Sequence, residues 1–546
     1  MKNPDFVLPS LRCFAPCPRL RAILSAMKFR ERGRTNVGFW AILLLGVFAW
    51  APATYPGYWQ GLEGFSAVFN ARQPGNIARF AADADLWRGT GSAAYLLAQP
   101  LLMLGMPTTA AVRFLFALLL VLAGLSVYAW LEPRLGDRAA GLAGLLYMLM
   151  PPALMTIYVR GSLADMWIVA LLPGALAATA AYRRTASPAA AALMLLAILW
   201  MWRIQAGLAL FGTLLLLLYA LLAERSRRGG LIVFVGGAAG FVSLLSLWSI
   251  RQSPPSDFFQ HFTYLFQLAG NRWITAPSIP GWQDELPLQI GFAAPVLGVI
   301  AFWLWRTRRA NRADGDRNRL LAFAVTASVI ILFLTLTPAA PLWRITGAHR
   351  LLTYPWQLTL LAGPFLIALA GSLPALLPSF GRVPYWPALI GVAILASYPY
   401  LTADFTQYPP PDRPYATLGA RNEIVLLEAT LTPLPDADQV RLDVTWQNRY
   451  HLDADYNIFL QAQVQEGEGY RSVAQLDRTP LDDDRPPTAW RPGKIMTAGY
   501  TLDLSEAGLD PAEEGLRFIF GYYDWRDGTR LPVDGGIDDK LIFYGR

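Results

Sequence analysis

The chain has 546 residues, 54% of them hydrophobic and only 16% charged, a composition too apolar for an ordinary soluble protein. Its 46 Lys+Arg exceed its 39 Asp+Glu, yet residues 404–546 hold 14 basic and 25 acidic side chains, leaving 32 and 14 to residues 1–403. A basic apolar part thus carries an acidic one, and because its cations flank apolar runs, membrane orientation accounts for them and no nucleic-acid partner is expected.

Residues 1–36 read as a basic cytoplasmic tail, with Met27 before Lys28-Phe29-Arg30 as an alternative start. Cys13 and Cys17 lie there without a neighbouring His, so no metal site is expected and no disulfide is available to the distal domain. A membrane span takes about 20 apolar residues. On that basis eleven are expected, at 37–54, 107–131, 138–156, 164–182, 187–201, 204–223, 231–250, 287–305, 320–340, 352–372 and 385–402. Ala49-Trp50-Ala51 resembles a leader cleavage site, but Pro52 follows it, so the first span reads as an uncleaved anchor. The pair either side of Trp202-Arg203 reads as a broken hairpin, and 92–106 as an interfacial helix or part of a span.

Placing the tail and every second loop in the cytoplasm puts 22 Lys/Arg inside and ten outside or at its margin. That bias orients the chain, and an odd number of spans exports the acidic domain. The expected location is the inner (plasma) membrane, with a membrane domain at 37–403, an outer loop at 55–106, a Pro-rich linker at 404–414 and an extracytoplasmic domain at 415–546. In that last domain 440–447, 456–464, 494–503, 516–525 and 540–544 alternate apolar and polar residues between turn signals, which predicts an all-β sandwich of about seven strands.

Outward segments 55–106, 251–286 and 341–351 are long enough to roof a site. Tyr55, Tyr58 and Trp59 read as headgroup-level anchors. Glu63 and the pair Asp83-Ala84-Asp85 are candidate general bases, and Asp83 with Asp85 offers oxygen ligands to a divalent cation. In Tyr158-Val159-Arg160-Gly161-Ser162-Leu163-Ala164-Asp165, Arg160 and Asp165 either close a helix hairpin or leave Arg160 to hold a lipid-linked phosphate, a role for which Arg203, Arg272, Arg344 and Arg350 compete. Arg88 and His349 complete the outer set, and His261, His349 and His451 are too scattered for a triad or a zinc site. Mid-membrane charge is scarce, which argues against an ion-coupled carrier.

An inside N-terminus, an acidic first outer loop, many spans and an exported C-terminal domain resemble the GT-C glycosyltransferases. RFAADADLWRGTG, AAYLLAQPLLMLG, YMLMPPALMTIYVRGSLAD and HRLLTYPWQLTLLAGP resemble, more narrowly, uncharacterised bacterial membrane proteins labelled as related to 6-pyruvoyl-tetrahydropterin synthase. That label carries no pterin chemistry here, since the soluble zinc enzyme's histidine cluster is absent. DVTWQ, AQLDRTP, PTAWRPG and GYYDWRDGTRLP are similar to β-domains attached to such proteins. The resemblance implies a GT-C-like fold, a polyprenyl-phosphate-linked sugar donor and a glycan, lipid or protein acceptor. It also implies a loop carboxylate that deprotonates the acceptor, carried onto Asp83 and Asp85 with Glu63 as competitor. GLEGFSAVF departs from the pattern, with Glu63 in place of an Asp and no His. A non-catalytic assembly or glycolipid-binding protein is the alternative.

Overall fold

The computed structural model describes residues 36–55, 58–59, 67–68, 71, 92–243, 258–270, 272–275, 278–307, 315–403, 405–406, 414–419, 423–434, 438–449, 452, 454–466, 469–481, 486–490, 495–510, 516–533 and 539–544. Its apolar runs form helices α1 (Val37–Thr54), α2 (Thr108–Leu135), α3 (Asp137–Arg160), α4 (Leu163–Thr185), α5 (Pro188–Ile204), α6 (Ala206–Ala223), α7 (Arg227–Ser243), α8 (Ala293–Thr307), α9 (Gly315–Leu334), α10 (Pro355–Leu376) and α11 (Tyr385–Ser397). Seven of these, α1 to α4, α6, α9 and α10, are long and apolar enough to cross a membrane, while α5 and α8 are apolar but shorter.

Burial sorts the bundle. α3, α4 and α10 are covered nearly all round and make its centre, whereas α1 and α9 turn most of their surface outward. Small residues allow the closest crossing: a Cβ on Gly141 of α3 would land on the Gly38 backbone of α1. The same contact is capped by Asp137, whose carboxylate accepts from the Gly38 N–H at 2.9 Å. Between α5 and α6 the chain turns through the single extended residue Gln205, so the expected broken hairpin is present. Residues 92–106 hold a 3-10 turn at Ser92–Tyr95 and a six-residue helix, Ala98–Met103. That is too short to span, and Met103 and Leu104 are exposed.

One end of the bundle is locked by charge. Glu224, fully buried, accepts from Arg134 at 2.5 Å and from the Tyr219 hydroxyl; Arg183 bridges Glu224 and Asp316, and Arg319 returns to Asp316. These contacts tie α2, α4, α6 and α9 together, and a buried carboxylate between guanidiniums is costly to break from either side.

The tail forms two four-stranded antiparallel sheets. One runs in the order β3 (Ala416–Leu418), β4 (Ile424–Leu434), β5 (Gln439–Asn448), β8 (Ile495–Asp503). The other runs β10 (Leu541–Tyr544), β9 (Leu516–Asp524), β6 (Tyr456–Glu466), β7 (Gly469–Arg478). Leu442, Val444 and Trp446 of the first sheet share one apolar core with Leu460, Phe518 and Phe520 of the second. The near end of the first sheet is covered on both faces: Ile424, Val425 and Leu426 are all buried before β4 settles into alternation.

A third, two-residue ladder joins the parts. β1 (Tyr58–Trp59) pairs antiparallel with β2 (Phe405–Thr406), in register Tyr58 with Thr406 and Trp59 with Phe405. The expectation that Tyr58 and Trp59 are lipid-headgroup anchors is corrected, because both are buried and stacked at 4.9 Å. The Trp59 indole donates to the Ile157 carbonyl at 2.8 Å and packs against Phe116 and Tyr158. Tyr55 alone of the three is exposed, with its ring beside Phe405. Burying a Trp this completely predicts that Trp59→Ala costs about 3–5 kcal/mol, while Tyr55→Ala costs no more than about 1.5 kcal/mol. Unfolding of the protein in nanodiscs checks this, and equal losses would contradict it.

Candidate functional site

The Arg160–Asp165 hairpin follows from its local sequence. Pro151 and Pro152 restart α3 after an extended Met150, and the helix widens over Met155–Arg160 into a π-turn, a geometry frequent at functional sites. Gly161 then takes φ +70°, a left-handed conformation that admits glycine without strain. Ser162 caps α4, its hydroxyl accepting from the Asp165 N–H at 3.4 Å. The reversal brings the Arg160 guanidinium onto the buried Asp165 carboxylate, and lays it over the Trp356 ring at 5.0 Å. Of the two expected readings, hairpin closure is the contact observed. Charge pairing and cation–π attraction reinforce each other in a place largely shielded from water.

From Trp356 a chain of contacts runs through the loop before α8. Trp356 stacks on Tyr354 at 5.3 Å, and Tyr354 lies against His261 at 4.8 Å. His261 Nδ1 meets Ser278 Oγ at 2.8 Å, and Ser278 donates to Asp284 Oδ2 at 2.5 Å. Because the serine proton goes to Asp284, Nδ1 carries the hydrogen and donates to Ser278. A nucleophilic triad needs histidine between the other two; here serine is in the middle, so the group orders a loop rather than activating a hydroxyl. Asp284 also accepts from the Leu286 N–H at 2.9 Å. Burial pushes its carboxyl above the usual range, against the pull of the Ser278, Leu286 and Ile279 hydrogen bonds.

The same loop reaches His349. Its ring lies 4.9 Å from Phe259, which the Arg344 guanidinium also covers at 4.8 Å, and its Nδ1 donates to the Trp343 carbonyl at 3.0 Å. Two glutamines set the loop geometry alike: Gln267 Oε1 accepts from the Tyr264 N–H at 2.9 Å and Gln357 Oε1 from the Tyr354 N–H at 3.2 Å. Each closes a Thr-Tyr-x-x-Gln string, at 263–267 and 353–357. That repeat is the signal by which Tyr354 and Trp356 could have been found beforehand.

The expected catalytic residues Glu63, Asp83 and Asp85, and Arg88 with them, lie outside the described residues. The chain on either side of them is pinned. Before them stands Trp59 on Ile157; after them Ala94 accepts from the Trp167 indole of α4 at 2.9 Å, and Gln99 donates to Ala71 at 2.5 Å. Arg203 ends α5 beside the buried Trp202, Arg272 is exposed ahead of Trp273, and Arg350 is exposed next to His349. Among the described residues no three His, Cys, Asp or Glu side chains gather to hold a metal ion. Between α8 and α9 an apolar groove of about 540 Å³ is lined by Leu268, Phe292, Val296, Val329, Phe333 and Leu336. Pairing of Thr263 with Leu336 ties its upper edge to the His261 loop.

No protein-family model matches the chain, and no curated protein matches its sequence.

A carboxyl with a raised folded-state pKa holds its proton more tightly folded than unfolded. Its contribution is therefore full at low pH and is lost as pH rises through the folded value. Between about pH 4 and 7 the melting temperature of the wild type should fall more steeply than that of Asp284→Asn. Parallel profiles would contradict the assignment.

Proposed function

We propose that this protein is a multi-pass glycosyltransferase of the plasma membrane that moves a sugar from a polyprenyl-phosphate donor to a glycan, lipid or protein on the extracytoplasmic side. In this reading the eleven helices α1 to α11 all cross the bilayer, the N-terminus is cytoplasmic, and the two sheets of the tail form an exported sandwich. The observation that carries it is the pinning of the first outer segment on both sides of Glu63, Asp83 and Asp85. Its flanks dock at Ile157, three residues before Arg160, and at Trp167, two residues after Asp165.

Several further features support the reading. Arg134, Arg138, Arg183, Arg184, Arg227, Arg306, Arg319 and Arg382 gather at the bundle end opposite β1, as cytoplasmic loops require. The groove between α8 and α9 has the apolar lining an isoprenoid chain needs. Arg88, Arg160, Arg203, Arg272 and Arg350 supply cations for the phosphate, with His349 beside Arg350. The reaction is a single displacement: a carboxylate takes the acceptor hydroxyl's proton, the freed oxygen attacks the anomeric carbon from the face opposite the phosphate, and the lipid phosphate departs with inversion. Where a divalent cation takes part, Asp83 and Asp85 are its ligands of choice.

One observation favours a second reading, a glycolipid-binding protein without turnover: Asp165 already engages the best-placed guanidinium, Arg160. The transferase reading predicts that at least one of Asp83→Asn, Asp85→Asn and Glu63→Gln lowers transfer from a radiolabelled polyprenyl-phosphate sugar by about 10²–10⁴-fold. Full transfer by all three would contradict it, and binding of the donor without product would establish the second reading.

A further inference from the structure

The outward face of the sheet β7-β6-β9-β10 has an unusual composition for a solvated surface. β6 turns Ile458, Leu460 and Ala462 to the core, which leaves Gln461, Gln463 and Gln465 pointing out. Strand register extends this row by row. Ser472, Gln463, Arg517 and Tyr544 lie across all four strands, and Gln475, Gln461, Ile519 and Ile542 form the next row, in which Ile519 is covered by its neighbours. Four strands spaced about 4.8 Å apart make a strip about 14 Å wide. Solvated faces are normally filled with Lys and Glu. In these two rows Arg517 is the one charged residue, and its charge is directed sideways: its guanidinium stacks 3.2 Å over the Tyr470 ring and its Nε donates to Gln463 at 2.9 Å.

The amides are also ordered in advance. Gln461 donates to Gln475 at 2.9 Å, and Gln475 donates to Asp477. A fixed row of amides offers donors and acceptors side by side, with much of their rotamer entropy already lost. Tyr470 and Tyr544 flank the row with exposed rings, each an apolar face beside a polar tip. The bottom of the face is closed, since Phe459 is covered by Arg530 at 4.3 Å. Vicinal hydroxyls meet paired donors and acceptors, and the C–H face of a sugar meets an aromatic ring. An anionic polymer would find two guanidiniums, Arg517 and Arg530, both already engaged, and an apolar partner would strand the amides.

We propose that this face, centred on Gln461, Gln463, Gln475 and Tyr470, binds a neutral, hydroxyl-rich carbohydrate chain. The site goes beyond the transferase reading and stands without it, because binding here needs no reaction. The tryptophans of this domain lie elsewhere: Trp446 and Trp490 are buried against each other in the core, and Trp525 is exposed in the turn after β9.

The test is binding of cello-, malto- and manno-hexaose to the full chain in nanodiscs, which avoid the sugar headgroup of maltoside detergents. At least one hexaose should bind. Tyr470→Ala and the double variant Gln461→Ala/Gln475→Ala should each weaken it by about tenfold or more. Tyr470→Phe, which keeps the ring, and Arg441→Ala on the other sheet should retain it, with melting temperatures unchanged throughout. Failure of all three hexaoses, undiminished binding in both weakening variants, or binding confined to a sulfated polymer would overturn the proposal.

Discussion

The architecture depends on one small contact, the two-residue ladder between β1 and β2 with the Trp59 indole fastened to Ile157. Two strand residues contribute little by themselves. What holds them is the aromatic stack of Tyr58, Trp59, Phe116 and Tyr158, which removes the ladder from water, where its hydrogen bonds would otherwise exchange freely. Through this joint the segment after α1 and the segment after α11 meet at one end of the bundle. Arg449 of the tail lies close enough to influence the Tyr58 hydroxyl, whose pKa burial drives upward.

The two ends of the bundle use charge differently. Around Glu224 several guanidiniums converge on that buried carboxylate and on the more exposed Asp316 and join four helices, so charge there serves cohesion. At the β1 end the pair Arg160 and Asp165 is embedded among aromatic rings, and the polar chain beyond it runs through His261, Ser278 and Asp284 along a loop. Loops held this way by side-chain hydrogen bonds can present groups to a ligand while the helices beneath stay rigid. A lipid chain in the groove beside Phe333 would have its head at the level of that loop.

Much of this was legible in the sequence because long apolar runs are an unambiguous helix signal, and every such run from Val37 to Leu401 is helical over most of its described length. Alternation found β5, β6, β8, β9 and β10 within a few residues. It missed the three-residue β3, β4, whose first three residues are buried on both faces, and β7, where a bulge opposite Ala462 and Gln463 breaks the alternation. Composition also misplaced Tyr58 and Trp59, since an aromatic pair near a span end reads the same whether it faces lipid or the bundle. The Arg160–Asp165 pair was visible from spacing around Gly161. His261 with Asp284 was not, because their link passes through Ser278 and depends on a turn that no periodicity encodes.

The central claim is that the first outer segment and the strand-rich tail occupy one compartment, opposite the arginine-rich loops. Single cysteines at Tyr55 and Trp525, both exposed, and at Arg228, in a chain whose Cys13 and Cys17 are replaced by alanine, can be labelled with a membrane-impermeant thiol reagent on intact cells. Tyr55→Cys and Trp525→Cys should label from outside and Arg228→Cys only after lysis. Labelling that placed positions 55 and 525 on opposite faces would contradict the account.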